Sequence, residues 1–177
     1  MSSLAIPVSE DDHVQGPPRA AVTLLEYGDY QCPFCGQAYP IIKEIQAAMG
    51  QKLRFVFRNF PLTQAHPYAE LAAEAAEAAV AEGKFWEMHN ALYENQAILS
   101  EDGLVEIARN LGLNLSRFVE DIRTRKFKNH VRKDFMGGVK SGVNGTPCFF
   151  INGNRHDLPW DYDTLLNSLA SLTSKMA

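Results

Sequence analysis

The chain has 177 residues, 46% of them apolar and 21% charged, with a formal net charge of −4 at pH 7. That is enough for one domain, or one domain carrying a large insertion, with a core that needs no disulfide staples. Seventeen basic against twenty-one acidic residues leave no nucleic-acid stripe and no polybasic membrane patch, and no apolar run reaches membrane-spanning length.

Residues 1–20 hold Pro7, Gly16, Pro17 and Pro18 among scattered charges and read as an extended leader with little regular structure. Met1 to Pro7 carries neither a basic segment nor an apolar core of signal-peptide length, so a cytoplasmic location is expected. A mature periplasmic or exported form would read the same way.

The apolar run from Ala21 to Leu25 predicts a strand over 21–27. A short loop leads to Cys32-Pro33-Phe34-Cys35, and a helix follows to about Met49 with Ile41, Ile42, Ile45 and Met49 at helical spacing. Pro33 suits the first helical position, Pro40 predicts a kink, and Gly50 a left-handed cap. Two thiols at i and i+3 on one turn can close a small disulfide ring. Cys32 sits where unpaired backbone N–H groups and the helix macrodipole favour a thiolate. A strand, a loop and a Cys-x-x-Cys helix are the redox signature of thioredoxin-like proteins. The alternative is half a zinc site, but no second Cys-x-x-Cys or His pair stands at ligand spacing, so no metal is expected.

Lys52 to Arg58 alternates as a second strand, so residues 21–58 form a crossover with a parallel pair. Beyond the loop from Asn59 to Pro67, helices are expected at 68–81, 84–95, 100–111 and 114–123, with Glu70, Glu74 and Glu77 on the polar side of the first. Phe127, Val131, Phe135 and Val139 mark a fifth, weakened at its end by Gly137 and Gly138. Cys148 to Ile151 and a short Arg155-His156 strand then flank Asn152-Gly153, a two-residue hairpin signal. Asp161 can cap a final helix carrying Tyr162, Leu165, Leu166, Leu169 and Leu172.

The Cys32-Pro33-Phe34-Cys35 motif, the helical block, and Gly145-Thr146-Pro147 leading into Phe149-Phe150-Ile151-Asn152-Gly153 together resemble the DsbA-like branch of the thioredoxin-fold oxidoreductases over roughly residues 20–172. The resemblance implies an α/β thioredoxin fold with an all-helical insertion between the second and third core strands. Residues 21–62 and 143–177 would form the thioredoxin-like domain and 63–142 the insertion. It implies that Cys32 is the nucleophile, that Cys35 resolves the mixed disulfide, and that Pro147 is cis and lies against both. Thr146 would offer backbone groups to an extended substrate peptide, and Glu26 would be a buried acid that moves protons. Pro33 and Phe34, between the cysteines, would be accessible surface for peptide docking. The partners implied are protein or peptide thiols and disulfides, with glutathione as a candidate redox partner and no cofactor beyond the Cys32–Cys35 pair. Two residues depart from the family pattern: Phe34 stands where strongly oxidising members carry histidine, and Cys148 follows the implied cis-proline.

Each feature has a plainer reading. Glu26 could be a strand-end acid reaching water. Cys148 could form an alternative disulfide, but strand neighbours alternate in direction and free cysteine is a common core residue, so a core role is expected. His89 reads as a satisfied core histidine, His66 as part of a turn, His156 as hairpin surface, Trp86 and Trp160 as packing residues, and the Lys126 to Lys133 cluster as a solvated face.

A helix N-terminus supplies up to about 2 kcal/mol, enough to bring a cysteine pKa from about 8.5 to about 7. Reaching about 3.5, as in DsbA, needs about 7 kcal/mol, and Phe34 supplies neither charge nor a strong donor. A near-neutral Cys32 pKa is therefore expected, with a reductase or isomerase role ahead of strong oxidation. Two other classes stay open: a peptide-binding or chaperone-like module, and a glutathione-dependent transferase or isomerase on the same scaffold.

Overall fold

The structure, a computed structural model, describes residues 2–173. Met1 and residues 174–177, the end of the expected second thioredoxin-like segment, lie outside the described residues. Strand β2 (Val22–Gly28) is central, with six of its seven residues buried. A near-continuous apolar run of this kind is what a strand covered on both faces requires. Helix α1 (Pro33–Met49) follows and leads to β3 (Leu53–Asn59), which pairs parallel to β2 from Val22↔Leu53 to Gly28↔Asn59. The expected crossover is therefore present. Helix α1 runs unbroken through Pro40, and Gly50 takes a φ of 51° at its end.

The helical block comprises α2 (Ala69–Ala79), α3 (Phe85–Glu94), α4 (Glu101–Asn110), α5 (Leu115–Arg123) and α6 (Lys128–Lys140). The Ser100 and Asn114 side chains cap α4 and α5 by accepting from the Gly103 and Arg117 N–H groups. Gly137 and Gly138 do not end α6. They lie buried within it, and a Cβ on Gly138 would come within 2.6 Å of the Phe60 ring, so the glycine lets this helix approach the sheet closely.

After the block, β4 (Cys148–Ile151) pairs antiparallel to β2 and turns through Asn152 and Gly153, both at positive φ, into β5 (Asn154–Arg155). Helix α7 (Tyr162–Thr173) begins where Asp161 Oδ1 accepts from the Thr164 N–H. With the edge strand β1 (His13–Gln15), the five-stranded order is β1-β3-β2-β4-β5, a mixed sheet with helices on its faces, and this is the thioredoxin fold with its helical insertion.

One expectation is sharpened and another corrected. The leader, expected to hold little regular structure, carries one three-residue strand: β1 (His13–Gln15) pairs antiparallel to β3, and the Arg58 guanidinium fastens the segment by bonding Asp12 and the carbonyls of Ile6 and Pro7. Three residues are too few to display a period, so only the pairing reveals the strand. The glutamates of α2 do not form a solvated side. Glu74 and Glu77 are 0% and 3% exposed, the first paired with Arg125 and the second with His13. Alanine neighbours leave the helix thin enough for other elements to cover it on nearly every side.

The sheet separates two apolar clusters. One holds Val22, Leu24, Phe55, Phe57, the inner faces of α1 and α7 and much of the helical block, together with Cys32 and Cys35. The other holds Leu25, Tyr27, Val56, Phe60, Phe150 and Cys148. Cys148 therefore lies across the sheet from the cysteine pair, as strand alternation requires.

Candidate active site

The site is built where β2 ends and α1 begins. Cys32 is the N-cap of α1, extended at φ −68° and ψ 123°, and Pro33 occupies the first helical position. Cys35 is wholly buried one turn on, whereas Cys32 is 3% exposed at the surface end of the cluster. All three cysteines are free thiols. Pro33 is exposed and Phe34 is 59% exposed, so an apolar ring stands beside the buried nucleophile.

The segment before β4 closes the other side. The Thr146–Pro147 peptide bond is cis, and the Thr146 carbonyl oxygen accepts from Cys32 Sγ at 3.5 Å. The Thr146 hydroxyl is buried with no partner among the described residues, which leaves it available to the sulfur.

These surroundings separate the two thiols. The Cys32 pKa is lowered to about 5, chiefly because the Cys35 thiol donates to its sulfur, with further help from the Thr146 hydroxyl and the N–H groups of Cys35 and Phe34. Burial pushes the Cys35 thiol well above its ordinary value, and donation to Cys32 adds to this. The Cys32 value is lower than the sequence argument gave. That argument counted the helix terminus alone and omitted the second thiol as a donor.

Glu26 is 3% exposed on β2, and burial raises its carboxyl to about 8, with the negative charge of Cys32 as second cause. It lines a narrow cavity with Tyr39, Lys43, His89 and Tyr93. His89 is also buried, held neutral by desolvation with its pKa lowered to about 3, and it hydrogen-bonds the Tyr30 hydroxyl at 3.0 Å.

Three residues given no role in the site by the sequence hold this loop in shape. Asp29 Oδ1 accepts from the N–H groups of Gln31 and Cys32, and its Oδ2 from Leu62 N–H and from His66 Nδ1 at 2.8 Å. The Asp29 N–H in turn donates to Cys35 Sγ at 3.5 Å. His66, expected only to form a turn, is thus part of the scaffold. Gln96, from the helical block, donates to the carbonyls of Tyr30 and Cys32. Its approach requires Gly36, since a Cβ there would come within 2.2 Å of Gln96 Oε1. Asp29 could have been noticed as a turn-forming acid three residues before the helix cap; Gln96 has no local signal.

A thiol held as an anion, a protonated thiol one turn away, an exposed apolar ring and a cis-proline loop against the sulfur form a constellation for thiol–disulfide exchange. The family model described as Thioredoxin matches residues 8–170. The chain belongs to the thioredoxin family.

Among solved members of this fold, a thioredoxin-like oxidoreductase from Silicibacter pomeroyi is 28% identical with a TM-score of 0.82, covering 96% of this chain and 95% of that one. BdbD from Bacillus subtilis, in its oxidised form, is 25% identical with a TM-score of 0.86, covering 98% of each. The alpha-DsbA1 of Wolbachia pipientis shares the fold at lower identity. In fold the chain is similar to these DsbA-like proteins. In sequence, the Na(+)/H(+) antiporter NhaA 3 of Salinispora tropica is 44% identical over 169 residues, 95% of this chain and 26% of that protein. The chain spans about a quarter of the length of the curated relatives it matches. Among the described residues, no helix is long and apolar enough to cross a membrane.

Proposed function

We propose that this protein exchanges dithiols and disulfides as a reductase or isomerase rather than as a strong oxidase, acting on protein or peptide substrates. The observation that carries this reading is the set of groups that stabilise the Cys32 anion: a thiol, a hydroxyl and backbone N–H groups, all uncharged. They support a pKa of about 5, between about 7 in thioredoxin and about 3.5 in DsbA. The more a thiolate is stabilised, the more the reduced form is favoured and the stronger the oxidant, so an intermediate value supports an intermediate potential.

In the reducing direction, the Cys32 thiolate attacks one sulfur of a substrate disulfide, forming a Cys32–substrate disulfide and expelling the other substrate sulfur as a thiolate. That step removes the negative charge at position 32, one of the two causes that hold Glu26 protonated. Glu26 therefore ionises more readily at the stage when Cys35 has to lose its proton. The carboxylate takes that proton, and the Cys35 thiolate attacks Cys32 Sγ. The substrate leaves as a dithiol and the Cys32–Cys35 disulfide remains. Phe34, Pro33 and the backbone of Thr146 form the surface on which a substrate segment would lie. A thiol such as glutathione would restore the dithiol, and a cytoplasmic setting belongs to this proposal.

Equilibration against glutathione tests the reading. The expected potential lies between about −270 mV, as in thioredoxin, and about −120 mV, as in DsbA. A value near −120 mV would overturn it. A Cys35→Ser variant should hold its substrates as mixed disulfides, since the resolving sulfur is gone. Failure to trap any thiol substrate would contradict the exchange step itself.

A further inference from the structure

Away from the cysteines, three elements that are distant in sequence bring imidazole and carboxylate groups to one point. His13 on β1 places Nε2 at 3.0 and 2.9 Å from the two carboxylate oxygens of Glu77 on α2. His130 on α6 places its own Nε2 at 3.5 Å from Glu77 Oε2, and at 4.0 Å from Asp134 Oδ2 one turn along the same helix. One ligand atom each from His13, Glu77 and His130 lie within 4.8 Å of one another. We propose that this cluster is a divalent transition-metal site of the Zn2+ type, with His13, Glu77 and His130 as ligands and Asp134 placed to fill the fourth position.

The spacing fits the ion. Bonds of about 2.0–2.1 Å to nitrogen and oxygen in a tetrahedron put neighbouring ligand atoms roughly 3.3 Å apart. The separations of 2.9, 3.5 and 4.0 Å straddle that value, so small side-chain rotations would complete the shell. Ligand chemistry selects the class of metal, because two imidazoles with carboxylates suit Zn2+ and its neighbours whereas Ca2+ and Mg2+ favour all-oxygen shells.

The surroundings are also built. Glu77 is 3% exposed, and the Asn59 amide donates to Glu77 Oε1 at 2.8 Å and to Asp134 Oδ2 at 3.0 Å, with the Asn59 N–H as a second donor to Asp134. One side chain thereby fixes both carboxylates, which is how outer-shell groups orient ligands. The His13 ring is held flat against Phe85 at a centroid distance of 3.5 Å. His130 and Asp134 face a cavity of about 320 Å3 shared with Asp12 and Arg58, which provides a way in. Two neighbouring carboxylates in a half-dry setting repel one another, and a dication removes that repulsion. The ion would tie the three-residue edge strand β1 to the helical block, a structural role separate from the thiol chemistry.

The test uses the full chain carrying Cys32→Ser and Cys35→Ser, so that the active-site sulfurs cannot hold metal. Equilibrium dialysis against Zn2+ should load one ion per chain, and Co2+ should give the visible absorption of tetrahedral coordination without a thiolate-to-cobalt band. His13→Ala and His130→Ala should each weaken Zn2+ binding at least about 100-fold and abolish the zinc-dependent rise in unfolding temperature. Because the His130 side chain is one-third exposed, the His130→Ala variant should keep the metal-free unfolding temperature of its parent. No stoichiometric Zn2+ at micromolar concentration, or Zn2+ binding by the two histidine variants as tight as their parent's, would overturn the proposal.

Discussion

Cys32 Sγ lies 3.5 Å from the carbonyl oxygen of Thr146, so the nucleophile at the cap of α1 is hydrogen-bonded to a residue 114 positions further along the chain. The thiol donates to this oxygen, but a thiolate cannot. On ionisation the sulfur instead needs donors, and the unpartnered Thr146 hydroxyl is one of them. Thr146→Val keeps the shape and removes that donor. The Cys32 pKa should rise by about one unit, the size expected for one hydrogen bond to a charged group. The pH dependence of thiolate absorbance in the reduced protein measures it.

Asp29 accepts two hydrogen bonds from the cysteine loop and two from the segment holding Leu62 and His66, and is 1% exposed. Asn in its place offers one oxygen and a donor group, which leaves buried N–H groups without acceptors. Asp29→Asn should cost about 2–4 kcal/mol in urea unfolding, at 1–3 kcal/mol for each buried donor stranded. It should also slow alkylation of Cys32, because the loop that fixes the first turn of α1 loses its anchor.

Glu26 and Cys32 give opposite dependences of stability on pH. The Glu26 carboxyl is raised to about 8, so its contribution to stability is complete below the ordinary 4.5 and is lost as pH rises through 8. The Cys32 thiol is lowered to about 5, so its contribution is present above the ordinary 9.0 and is lost as pH falls through 5. In a Cys32→Ser background only the first remains. There, Glu26→Gln should gain on its parent by about 2–3 kcal/mol between pH 5 and pH 8. In the otherwise unaltered protein the same substitution should slow release of the mixed disulfide, since no base is left to take the Cys35 proton.

Phe34 is 59% exposed beside Cys32 and carries no charge. Phe34→His places an imidazole there that is cationic below about pH 6.5. The potential should move toward zero by about 30 mV, the equivalent of about 1.4 kcal/mol for two electrons, and more at pH 6 than at pH 8. Equilibration with glutathione at the two pH values checks this. An unchanged potential would show that the residue between the cysteines does not tune this site.

The parts of this molecule carried by local pattern were legible in the sequence. β2, α1 and β3 follow from apolar periodicity, the α4, α5 and α7 caps from Ser100, Asn114 and Asp161, and the β4–β5 turn from Asn152-Gly153. The cysteine pair was visible because its spacing is itself the signal. What escaped depends on contacts between distant segments. Strand β1 is defined by its pairing with β3, Gln96 reaches the active-site loop from the helical block, and the burial of Glu74 and Glu77 is set by Arg125 and His13. The acidity of Cys32 was underestimated for a similar reason. Its largest contributor is the Cys35 thiol, whose donor role depends on the orientation of two side chains rather than on their spacing.

The central claim is that Cys32 is a thiolate at neutral pH while Cys35 is not. Iodoacetamide alkylation of the reduced protein, followed from pH 3 to pH 9 with the modified residue identified by mass, tests it most directly. Modification should fall on Cys32 alone, with a rate that rises through a midpoint near 5 and then levels off; Cys35→Ala should move that midpoint upward by removing the donor. A midpoint near 8.5, the value of a free cysteine, or equal labelling of Cys32 and Cys35 would contradict the account.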